Sequence, residues 1–141
     1  MDGFVLIFTD GGFFGSFTVY GQSNQAEQFY SIEPTPDGGF VVAGFGATLS
    51  SNGSDFLISK FDNHQQQEWI RFHDLGSSEM GMAVLVNPAG GYLMTGDKLQ
   101  SWSGFNIAVA GCDADGFLLW DTIVPYPYNG GCKGAIPIGN E

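Results

Sequence analysis

Apolar and polar positions along this chain fall into short runs, many of them alternating. Residues 28–33 read Gln-Phe-Tyr-Ser-Ile-Glu, and residues 40–43 read Phe-Val-Val-Ala; further runs occupy 55–61, 68–73, 82–86, 92–95, 105–110 and 117–123. They are rich in Val, Ile, Phe, Tyr and Trp, residues that fit a pleated, half-buried surface. Between them lie Pro34-Thr35-Pro36-Asp37-Gly38-Gly39, Leu49-Ser50-Ser51-Asn52-Gly53-Ser54 and Asp62-Asn63-His64-Gln65, which supply the residues that turns require. No stretch of eleven or more residues carries an apolar stripe at helical spacing. The 22 glycines also argue against helix interiors, where glycine is unfavourable. The pattern predicts an all-β chain.

The runs repeat. Asp10, Asp62 and Asp113 are each followed seven residues later by a large aromatic, Phe17, Trp69 and Trp120, at offsets of 52 and 51 residues. Asp37-Gly38-Gly39-Phe40-Val41-Val42-Ala43-Gly44 is answered 52 residues on by Ala89-Gly90-Gly91-Tyr92-Leu93-Met94-Thr95-Gly96. Phe4-Val5-Leu6, Phe56-Leu57-Ile58 and Ile107-Ala108-Val109 precede the three aspartates, while Ser31-Ile32, Ala83-Val84 and Ala135-Ile136 share another column. Four strands in each period of about fifty residues is the requirement of a β-propeller blade. The expected organisation is a propeller-like array of four-stranded antiparallel blades. It has a partial blade at 1–21 (strands three and four), complete blades at 22–76 and 77–128, and the start of another at 129–141. A propeller closes with roughly four to eight blades. The ends of this chain are therefore expected to join further blades, from a longer chain or from other copies, in a ring or a fibre.

The carriers Asp37, Gly38, Gly39, Phe40, Gly44, Asp55, Phe56, Leu57, Ile58, Lys60, Asp62 and Trp69 form a pattern that resembles the secreted propeller repeats of the delta-sixty type. The third unit departs from it, with Pro88-Ala89 before its glycines and Gly111 in place of the lysine. The resemblance implies a scaffold whose binding partners vary, and it brings no catalytic residues.

Charge narrows the partners. Fifteen acidic residues stand against Lys60, Arg71, Lys98 and Lys133, for a net charge of −11. Nucleic-acid binding relies on many Lys and Arg contacts to phosphate, and attraction to an anionic membrane has the same need, so both are excluded as expectations. No run approaches the roughly twenty apolar residues of a membrane helix. The apolar run Phe4 to Phe8 is too short for a signal peptide and lies between Asp2 and Asp10. An acidic, lysine-poor chain fits an extracellular or cell-surface scaffold.

Candidate chemistry is sparse. Asp113-Ala114-Asp115-Gly116 resembles the opening of a calcium loop, but the equivalent turns lack its second carboxylate. An Asx-type turn accounts better for the recurrent aspartate, so no metal ligand and no cofactor is nominated. His64 and His73 lack partners at metal-site spacing and read as solvated. Phe17, Trp69 and Trp120 read as packing between neighbouring blades. Trp102, alone in the polar loop 100–104, and Tyr126 and Tyr128 in the Pro-rich segment 124–128 are candidate contacts for a partner or glycan. Asn52-Gly53-Ser54 is a glycosylation sequon with Asn52 as acceptor. Cys112 and Cys132 could bridge adjacent blades or remain free thiols, since loop connectivity does not set their distance. The expected function is a non-enzymatic interaction scaffold, with an extracellular carbohydrate-binding module as the alternative.

Overall fold

The computed structural model describes residues 2–8, 10–21, 26–47, 53–99, 104–125 and 131–136. Ten strands and no helix occur among them: β1 (Gly3–Phe8), β2 (Phe14–Tyr20), β3 (Glu27–Pro34), β4 (Phe40–Gly46), β5 (Asp55–Phe61), β6 (Gln67–His73), β7 (Glu79–Val86), β8 (Tyr92–Leu99), β9 (Phe105–Cys112) and β10 (Leu118–Val124). They form a two-stranded hairpin β1-β2 and two four-stranded sheets, β3-β4-β5-β6 and β7-β8-β9-β10, with every pairing antiparallel. Each sheet is an up-and-down meander, as short turn-rich connections dictate.

The two four-stranded sheets pack face to face, with β7 lying across β3, β4 and β5. Val41, Ala43, Phe56 and Ile58 of the first sheet meet Val84, Tyr92, Met94, Ala108, Ala110 and Cys112 of the second in one core. Each large side chain so buried contributes about 1.5–3 kcal/mol. The hairpin packs on the other face of the first sheet, where Val5, Val42 and Phe61 are buried beside Ile7, Tyr20, Phe29 and Phe40. Covered on both sides, all seven residues of β5 are buried, the polar Asp55, Ser59 and Lys60 included.

The repeated turns explain their residues. Asp62 Oδ1 accepts from the N–H groups of His64 and Gln66 at 2.8 Å, and Asp113 Oδ1 does the same for Asp115 and Phe117 at 3.0 and 2.8 Å. These are the Asx turns expected at those aspartates. Gly38 and Gly90 hold φ of 85° and 105° in the turns before β4 and β8, a region in which a side chain is strained.

Gly44 and Gly96, the recurring glycines that follow the runs 40–43 and 92–95, lie inside β4 and β8. Each faces a bulge in the preceding strand, where the register slips between Phe29 and Ser31 and between Gly81 and Ala83. The extra residue pushes a backbone carbonyl toward the opposite strand. A Cβ on Gly44 would lie 1.7 Å from the Gln28 carbonyl oxygen, and one on Gly96 would lie 2.0 Å from that of Met80.

The first hairpin departs from the sequence alignment. Trp69 pairs with Lys60 and Trp120 with Gly111, one step before the strand end in each case, whereas in β1-β2 that place belongs to Ser16, paired with Ile7. Phe17 is displaced by one residue. Since side chains alternate along a strand, it points to the other face of the hairpin.

Candidate functional site

The outer face of the hairpin is the most exposed apolar surface of the described chain. Cross-strand pairs place Phe4 beside Val19, Leu6 beside Phe17 and Phe8 beside Phe14. Their exposures include 61% for Phe4, 50% for Leu6 and 61% for Phe17. The Phe8 and Phe14 rings meet edge to face at 6.1 Å. The opposite face of the same hairpin carries Val5, Ile7 and Tyr20 against the first sheet, with the Tyr20 hydroxyl donating to the Gln65 carbonyl at 2.9 Å. A strand pair that is apolar on both faces is built to lie between two layers. The signal is present in the unbroken apolar run Phe4 to Phe8.

The hairpin also covers its neighbour incompletely. Val84 of β7 is 1% exposed because a four-stranded sheet lies beneath it, whereas Ile32, its counterpart in β3, is 52% exposed. A groove of about 450 Å³ and another of about 250 Å³ flank β1, with Ile32 lining both. At the opposite end of the structure, Leu119, Trp120 and Ile136 are exposed around a cleft of about 390 Å³ over the second four-stranded sheet. Residues 131–136 run there without regular strand structure. Their anchor is the Cys132 N–H, which donates to Asp97 Oδ1 at 2.6 Å.

Trp69 does pack between units. Its ring meets Tyr92 at 5.8 Å, lies over Gly116, and shares the Arg71 guanidinium with Phe117. Trp120 lies across Gly111 of its own sheet and is 49% exposed, and Phe17 is exposed as well. The packing role expected of all three aromatics thus holds only where a following sheet is in place and the register is kept.

Lys60 shows what the middle unit gains from its lysine. Its ammonium is buried and bonds Asp37 at 2.8 Å and Glu68 at 2.9 Å, clamping the turn before β4 to β6. Burial alone would lower the ammonium pKa, but these two bonds overcome it and hold the value above the ordinary range. The Lys60 bond is also the largest of the causes holding the Asp37 carboxyl well below the usual carboxylate range. In the third unit Gly111 makes room for Trp120 instead.

His73 is buried, which corrects the solvated reading, because it ends β6 against the β9–β10 turn. Its Nε2 donates to the Gly116 carbonyl at 3.0 Å and lies 3.6 Å from Cys112 Sγ. A carbonyl only accepts, so Nε2 carries a proton, as it does in both the Nε2–H neutral ring and the charged ring. Burial lowers the His73 pKa, opposed by the Gly116 bond, and burial pushes the Cys112 thiol up to about 11. With its donor engaged by a carbonyl and the thiol kept protonated, the pair is not an activated nucleophile. The depressed pKa has a consequence for stability. The unfolded chain takes up the proton first, near the ordinary value of about 6.5. The stabilisation is therefore complete above that pH and is lost as the pH falls toward the folded-state value. Thermal melts of the wild type minus those of His73→Gln are expected to show a stability difference that declines from pH 7 to pH 5. A difference independent of pH would contradict the neutral, carbonyl-bound ring.

Cys112 and Cys132 are free thiols. Cys112 faces the first four-stranded sheet, while Cys132 contacts Thr95 Oγ1 at 3.2 Å on the opposite face of the second. A sheet separates them, so the candidate disulfide is not formed. His64 is exposed, as expected. Asn52, Trp102, Tyr126 and Tyr128 lie outside the described residues. No protein-family profile matches the chain, and no curated protein is significantly similar to it.

Proposed function

We propose that this chain is a non-enzymatic interaction scaffold, a stretch of a β-propeller-like array whose bare faces are covered by further four-stranded units of the same kind. The single observation carrying this reading is the hairpin β1-β2, apolar on both faces, with Phe4, Leu6, Phe8, Phe14, Phe17 and Val19 in water on its outer side. The contrast between Val84 and Ile32 supports the same occupant, because a four-stranded neighbour is what buries the one and is missing over the other. The resemblance to secreted propeller repeats and the acidic, lysine-poor composition favour an extracellular or cell-surface setting.

The covering unit comes from the same polypeptide or from another copy. In either case the isolated chain carries a sticky face. Sedimentation velocity across a wide concentration range is expected to show mass rising with concentration. The variant Leu6→Ser/Phe17→Ser is expected to remain monomeric with an unchanged β-sheet circular dichroism spectrum. A wild-type monomer at every concentration would refute the proposal.

A further inference from the structure

Three carboxylates converge where the first four-stranded sheet meets the second. Asp55 opens β5, Asp74 follows β6, and Glu79 opens β7. One oxygen from each lies within 4.8 Å of the others. Asp55 and Glu79 are buried, whereas Asp74 is exposed and sits at the mouth. The connection 74–79 is shaped to hold them: Gly76 N–H donates to Asp74 Oδ1 at 2.7 Å, and Ser77 N–H donates to Glu79 Oε1 at 2.9 Å. The Glu79 backbone is pinned to Ser54 on both sides, its N–H donating to the Ser54 carbonyl and its carbonyl accepting from the Ser54 hydroxyl.

Lys98 Nζ stands 3.9 Å from Glu79 Oε1 and is engaged by the Leu75 carbonyl. Ionised carboxylates about 4 Å apart repel by several kcal/mol near a protein surface, a cost that a cation between them removes. A second observation is independent of the cluster's composition. Glu79 has no exposed surface, and among the described residues its Oε2 accepts no hydrogen bond. A buried charged acceptor left without a partner is costly, so a missing partner is indicated.

We propose that Asp55, Asp74 and Glu79 bind a divalent cation, Ca²⁺, at the junction of the two four-stranded sheets. Ca²⁺ takes oxygen ligands at about 2.3–2.6 Å, so ligands on opposite sides of one ion stand about 5 Å apart, and the observed grouping fits inside that sphere. The donors are all hard carboxylate oxygens, which select Ca²⁺ over zinc or copper. A doubly charged ion relieves the repulsion among the three carboxylates and gives Oε2 its partner. The set is also specific to this junction. At the repeat offsets, Asp55 corresponds to Gly3 and Asn106, Asp74 to Pro125, and Glu79 to Glu27 and Gly131. Residues that recur in every unit serve the scaffold; this triad occurs together once.

The test is calorimetric titration of the EDTA-stripped full chain with CaCl₂, together with thermal melts in CaCl₂ and in EDTA. One Ca²⁺ is expected per chain, with a higher Tm in CaCl₂. Asp74→Asn is exposed and keeps the acceptor for Gly76. It is expected to fold normally and weaken binding by about tenfold or more, since affinity in such sites follows the count of charged ligands. Glu79→Gln is expected to abolish the Tm response. Absence of binding and of a Tm shift in the wild type overturns the proposal. So does a response that survives in both variants, or an equal response to MgCl₂. The readout is independent of self-association, because the ligands belong to one chain.

Discussion

Phe56→Ala is expected to lower the unfolding free energy by about 3–5 kcal/mol, the largest single side-chain effect in this molecule. Phe56 is fully buried in β5, between Phe45 of β4 and His73 of β6 on its own sheet. Its ring projects into the core shared with Val84, Met94 and Ala108 of the next sheet. It also reaches the backbone of Gly96 in β8, where a Cβ would lie 2.8 Å from the ring. The space left by truncation is enclosed by two sheets whose spacing is set by many other contacts, so it cannot collapse. Urea unfolding followed by circular dichroism measures the loss. A change under about 1 kcal/mol would mean that the two sheets do not share a packed interior.

Gly44→Ala is expected to cost about 3 kcal/mol or more, although it removes no contact. The added methyl would sit 1.7 Å from the Gln28 carbonyl oxygen, and Gly44 also meets the next sheet, its own carbonyl lying 2.4 Å from where a Cβ on Gly81 would be. The nearest neighbours of the methyl are all backbone atoms of Gln28 and Phe29, so there is no flexible side chain to displace. Gly96→Ala meets the Met80 carbonyl in the same way and should behave alike. Gly134→Ala, with nothing within 4 Å, serves as the neutral control. Equal melting temperatures for Gly44→Ala and Gly134→Ala would show that the bulge can relax, contrary to the geometry.

Legibility differed among the parts of this protein for identifiable reasons. The strands of the two complete units follow from local alternation and turn chemistry, and most extend a residue or more beyond the expected limits because sheet pairing continues past the apolar centre. The Asx turns at Asp62 and Asp113 were readable because the acceptor and its donors lie within four residues. Gly44 and Gly96 were visible as a recurrence, but their reason was not. A bulge is a relation between strands, and nothing in the run 40–46 records it. Phe17 was misplaced by the same limitation: the alignment counted residues, whereas hairpin pairing decided the face.

The candidate sites divide along the same line. The bare face of β1-β2 was present in the continuous run Phe4 to Phe8, since a strand buried on one side would alternate. The carboxylates Asp55, Asp74 and Glu79 are spread over 25 residues and three structural elements, and no spacing rule unites them. His73 acquires its carbonyl partner 43 residues away. The all-β class, the period, the turns and the acidic composition were legible in the chain itself, because these depend on composition and near neighbours. Which glycines face a carbonyl, which aromatics are covered and which carboxylates share one space follow from the way the sheets pack. Those properties arise when strands distant in the chain are laid side by side, and the register of that contact is set by packing.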